Sequence, residues 1–243
     1  MTKIEFRTKL LVIFAIWWTI WAFNPLFPSD WVTENILTVF FIPLLIVTRR
    51  WFRLSDLSYF LLFVFMLFHT VGAHYTYAEV PYEKWAGALG FSLNDLFGFQ
   101  RNHFDRLVHF LFGLLFSYPV RELFMRVAQA KGAWSYYLPV ELVMSLSMLY
   151  ELIEWGVSIV VGGDLGMAYL GTQGDIWDAH KDMAFASLGA AIGMGIVAIV
   201  NWRMQCDFAR EFAESIKVKD NIPLGEVKLR EYRESRKESG DEN

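Results

Sequence analysis

The chain has 243 residues, of which 55% are hydrophobic and 17% aromatic, and carries a formal charge of −4. That apolar share exceeds what a water-soluble domain of this size needs for its core, so a soluble globular protein is excluded and a membrane protein is expected. A single cysteine, Cys206, rules out an intrachain disulfide framework and any thiol-pair metal site.

Six apolar stretches follow in chain order, near residues 6–23, 31–48, 54–73, 103–125, 136–161 and 176–202. Each approaches the length needed to cross a hydrocarbon core of about 30 Å. The expected fold is therefore all-α, a polytopic membrane protein with six transmembrane helices. The first stretch, preceded by "MTKIEFRTK", has no small-residue cleavage pattern after it and reads as an uncleaved helix.

Basic residues fall in alternate connections. Lys3, Arg7 and Lys9 precede the first span; Arg49, Arg50 and Arg53 follow the second; Arg121, Arg126 and Lys131 flank the fourth connection, and the tail is rich in both signs. Only Lys84, Arg101, Arg106 and Lys181 lie on the other side. This positive-inside asymmetry places both termini in the cytoplasm. Residues 1–202 read as the transmembrane domain, and 203–243 as a charged cytoplasmic tail, helical near 205–218 and disordered beyond.

Ionisable residues inside spans need partners or water, because a charge at mid-membrane costs about 3 kcal/mol on insertion scales. Here they gather on the outward side. His69 and His74 end the third span, and Asp105 and His109 begin the fourth at i,i+4 spacing. Glu151 and Glu154 close the fifth, and Asp175, Asp178 and Asp182 open the sixth as one stripe. Helix-terminus electrostatics account for Asp175 but not for Asp182, about two turns deeper. Few cations lie near these acids, so a bound cation is the economical neutraliser.

Neutral imidazole and ionised carboxylate converging from separate helices suit Zn, Mn or Fe. His69, His109, Asp178 and Asp182 are the expected metal ligands, with Glu154 able to join them. Glu151 or Glu154 would relay a proton and Arg106 would hold a phosphate or developing negative charge. The expected activity is a metal-assisted hydrolase or transferase acting on a lipid headgroup or another envelope substrate; nothing points to nucleic acid. Two alternatives stay open: an ion- or proton-coupled transporter, for which Glu141 is the only acid in the inner half of the fifth span, and a scaffold whose acids fasten helices together. The glycine-rich segment "VVGGDLGMAYLGTQGD" reads as a compact connection or a lid, and Gly189 and Gly193 as a helix-packing surface.

The blocks "TRRWFRLSDLSY", "HTVGAHYTYAEVPYEKW", "FGFQRNHFDRLVHFLFGLL", "ELIEWG" and "GGDLGMAYLGTQGDIWDAHKDM" closely resemble the YjdF-like inner-membrane protein family of bacteria. The resemblance spans roughly residues 10–200. It implies a multi-pass protein of the bacterial inner membrane and carries no ligand set or activity with it.

Overall fold

The computed structural model describes residues 5–163, 172–204, 208–218 and 226–238. Within them the chain is helical and contains no strand. Six long helices follow the apolar stretches: α1 (Phe6–Trp21), α2 (Pro28–Thr48), α3 (Asp56–Tyr75), α6 (Phe104–Arg126), α7 (Trp134–Val161) and α8 (Asp178–Met204). Two short ones, α4 (Tyr82–Ala88) and α5 (Leu93–Phe97), lie in the connection between α3 and α6.

Five of these helices, α2, α3, α6, α7 and α8, are long and apolar enough to cross a membrane. Helix α1 has 16 residues, about 24 Å of rise, and falls short of the roughly 20 residues a full crossing takes. It ends early because Asn24 and Pro25 follow, and Asn24 has a positive φ of 50°.

The centre of the bundle is α6 against α8, with α7 packed on both; α3 packs on α6, and α1 and α2 lean on α3. Helices α6 and α8 run parallel, because Gly113 meets Ala186 and Ala190, while Gly189 meets the backbone at Phe110 and Leu114. A side chain at Gly113 or Gly189 would collide with the partner's backbone. This small-residue seam brings the two helices within van der Waals reach. One turn before it on each helix stand His109 and Asp182, which the seam therefore holds side by side.

The two ends of the bundle are tied differently. At one end Arg7 Nε donates to Asp56 Oδ1 at 2.7 Å, and Arg126 Nη1 to the Arg53 carbonyl at 2.5 Å. At the other, His74 Nδ1 lies 2.8 Å from the Trp21 carbonyl, and Asn102 Nδ2 donates to the Val80 carbonyl at 2.8 Å. There Val71, Val80, Phe104 and Val108 form a buried apolar cluster beneath the polar groups.

Beyond the bundle, α9 (Phe208–Ser215) docks on the start of α7: Ala133 N donates to Ser215 Oγ at 2.8 Å and Trp134 Nε1 to the Ser215 carbonyl at 2.9 Å. A further helix, α10 (Glu226–Glu238), occupies tail residues where the charge mixture predicted no regular structure. Its opposite charges recur four apart, Glu226 before Arg230 for example, and Arg236 lies over the Tyr232 ring at 5.9 Å. Such pairs support a solvated helix that has no core to bury. Half of the glycine-rich segment expected as a compact connection or a lid, residues 164–171, lies outside the described residues.

Candidate functional site

The polar end holds three connected groups. The first is an acid and imidazole cluster from three helices. His109 Nε2 lies 3.6 Å from Asp105 Oδ1, one turn back on α6, and 3.5 Å from Glu151 Oε1 on α7. One ligand atom each from Asp105, His109 and Asp182 fall within 4.8 Å of one another. Asp182 is only 2% exposed, and among the described residues its Oδ1 and Glu151 Oε1 are buried without a hydrogen-bond partner.

These separations are informative. A hydrogen bond of this kind spans about 2.9 Å, whereas two ligands bound at about 2.1 Å around one tetrahedral ion stand about 3.4 Å apart. The candidate ligand atoms of Asp105, His109 and Asp182 lie close enough together to share one ion. An unpartnered buried carboxylate oxygen costs several kcal/mol unless something meets it.

The second group is a salt-bridge network at the mouth. Arg106 Nη2 donates to Asp175 Oδ2 at 2.6 Å and to Asp178 Oδ1 at 3.3 Å, and Arg101 Nη2 also donates to Asp178 Oδ1. Lys181 Nζ completes the set on Asp175 Oδ2 at 2.5 Å. The Lys181 ammonium, then the Trp177 backbone N–H and Arg106, hold the Asp175 carboxyl well below its usual range. Burial, followed by the Arg106 and Arg101 guanidiniums, pushes the His103 imidazole down, which keeps it neutral. Arg101 Nη1 also reaches the Thr172 carbonyl at 2.5 Å, and Asn102 and Gln173 exchange two bonds of 3.1 Å. The loop before α6 is thereby fastened to the loop before α8. Asp175 precedes α8 rather than lying on it, so the expected three-acid stripe is a two-acid stripe, Asp178 and Asp182, with Asp175 in the turn.

The third group sits between α2, α3 and α7. His69 Nε2 lies 3.0 Å from Thr38 Oγ1 and its Nδ1 lies 2.5 Å from the Tyr77 hydroxyl. Tyr150 OH donates to Glu34 Oε2 at 3.2 Å and also neighbours Glu154, and Tyr150 meets the His109 ring edge-on at 5.9 Å. Glu34, 6% exposed, shares the α2 face with Thr38.

Of the expected ligands, then, His109 and Asp182 come together. His69 has both ring nitrogens engaged, and Asp178 is the counter-ion of two arginines. Glu151 stands at the cluster, Glu154 one turn further along α7 beside Tyr150, and Arg106 in the network at the mouth. Asp105, not among the expected ligands, offers the third candidate ligand atom; its i,i+4 spacing to His109 was the available signal. Arg101 and Glu34 were also missed. A lone Arg in a loop carries no sequence signal, but Glu34 with Thr38 four residues on marks one polar face on an otherwise apolar helix.

Residues 6–203 match the family model described as "Predicted membrane protein (DUF2238)". The chain belongs to this family. It is 34% identical over 183 residues, covering 75% of this chain and 82% of the relative, to inner membrane protein YjdF of Escherichia coli (strain K12). No solved structure matches it. Family, relative and apolar helices together make it a multi-pass inner-membrane protein.

Proposed function

We propose that this protein is a metal-assisted membrane enzyme, a hydrolase or transferase acting from the outer side on a lipid headgroup or another anionic envelope substrate. The reading rests on one observation: Asp182, almost wholly buried, clusters with Asp105 and His109, and its Oδ1 has no hydrogen-bond partner among the described residues. A divalent ion there, Zn, Mn or Fe by its mixed oxygen and nitrogen donors, would supply Lewis acidity and neutralise the acids. Glu151, whose Oε1 lies 3.5 Å from the imidazole, would take a proton from water. Arg101 and Arg106, each with a buried Nε lacking a partner among the described residues, offer donors to an anionic headgroup.

The accompanying topology has six spans, α1 crossing with the help of interfacial residues at its ends, and both termini in the cytoplasm. Residues 1–202 form the membrane domain and 203–243 its cytoplasmic tail. Elemental analysis of protein purified from metal-replete cells tests the centre of this reading. About one equivalent of a transition metal, lost in Asp182→Ala and His109→Ala, is the expected result; metal-free wild-type protein overturns it.

A further inference from the structure

The opposite, basic end of the molecule carries a second feature that the polar site does not use. Helices α1 and α2 both pack on α3 but scarcely on each other. Near the polar end they are joined, since Trp18 Nε1 donates to Asn35 Oδ1 at 2.6 Å and Trp18 lies against Trp31 with ring centroids 5.7 Å apart. Towards the basic end they part. The gap is an open cleft of about 90 Å³ whose floor is Phe14, Leu62 and Met66 and whose walls include Leu10, Phe41 and Leu45. From Phe41 to Arg49 it follows α2 for about 12 Å.

Two arginines stand in the mouth of this apolar cleft, Arg7 and Arg49. Arg7 uses Nε on Asp56 and lies over the Tyr59 ring at 5.4 Å, but its buried Nη1 has no partner among the described residues. Arg49 stands 3.9 Å from Glu5, beyond hydrogen-bond range, and both of these side chains are exposed. Arg50 and Arg53 follow on the same connection and add positive charge to this end of the molecule.

An apolar slot capped by guanidinium donors matches one chemistry: an acyl chain carrying a phosphate diester. We infer that the α1–α2–α3 cleft binds an anionic glycerophospholipid of the leaflet on the basic side, one acyl chain in the cleft and its phosphate between Arg7 and Arg49. Guanidinium pairs phosphate through two donors, and the anionic headgroup selects this site over zwitterionic lipid. The lipid would replace direct α1–α2 packing and hold the short α1 against the bundle.

Native mass spectrometry of the full-length protein, released from nanodiscs of equal phosphatidylglycerol and phosphatidylethanolamine, reads this directly. Wild type should retain phosphatidylglycerol in preference to phosphatidylethanolamine. Arg49→Gln should lower that preference about fivefold, and Leu45→Trp, which fills the cleft, should lose both lipids while keeping the fold by circular dichroism. Arg7→Gln should act like Arg49→Gln; if loss of its Asp56 bond prevents folding, Arg49→Gln alone decides. Equal retention of the two lipids by wild type, or an undiminished preference in Arg49→Gln, overturns the proposal. Metal content plays no part in this readout, so its failure is separable from that of the polar site.

Discussion

Two polar groups lie within a turn of each other at the same ends of α6 and α8, and they are built in opposite ways. At the mouth, Asp175 and Asp178 meet Arg101, Arg106 and Lys181, and each carboxylate is paired. Beside it Asp105 meets His109 and Asp182, one turn deeper, with Glu151 against the imidazole, and among the described residues one oxygen each of Asp182 and Glu151 has no hydrogen-bond partner. The same residue types thus serve two purposes. At the mouth every carboxylate has a cation and the network fastens two loops together, whereas in the neighbouring cluster acceptors outnumber donors among the described residues.

The sharpest way to break this contrast is to remove one acid from each group. Asp182→Ala should weaken metal binding by more than about a hundredfold, beyond what loss of a mere supporting contact brings, while Asp178→Ala should leave metal bound. Competition against a chelating dye measures both, and equal losses would erase the distinction. Next in size, Arg106→Met removes one of the two closest cations from each acid at the mouth, leaving Arg101 on Asp178 and Lys181 on Asp175, and should destabilise the protein by about 2 kcal/mol. Thermal melting in detergent should show this with metal content unchanged.

A smaller effect sharpens the boundary of the cluster. His69→Gln should cost about 1 kcal/mol, the worth of its hydrogen bonds, and leave metal stoichiometry intact, because both its ring nitrogens are already engaged. Loss of metal in that variant would restore His69 to the ligand set. The smallest effect depends on pH. Asp175 ionises below its ordinary value in the folded protein, so its contribution is full above about pH 4 and fades as the pH falls through the folded value. The difference in melting temperature between wild type and Asp175→Asn should therefore hold steady near neutrality and shrink on strong acidification.

Much of the architecture was legible from hydropathy alone. The six apolar stretches became six long helices, with the exception that α1 is too short to cross unaided. The site was legible at the level of faces: Glu151 with Glu154, and Asp178 with Asp182, sit on shared faces because helical spacing is local. What spacing does not encode is which face meets which. Asp105 and Asp178 are both one turn nearer their helix starts than His109 and Asp182, yet only Asp105 faces the cluster. Asp178 is drawn off by Arg101, a loop residue 77 positions away.

By itself the sequence determined that this chain is helical and membrane-embedded and that its acids and histidines gather at one end, because burial of apolar surface and exclusion of charge from lipid act on each segment separately. The tertiary structure decided the partners. The Gly113, Gly189 and Gly193 seam sets α6 and α8 parallel and close, and that contact puts His109 beside Asp182 and brings Asp178 to its arginines.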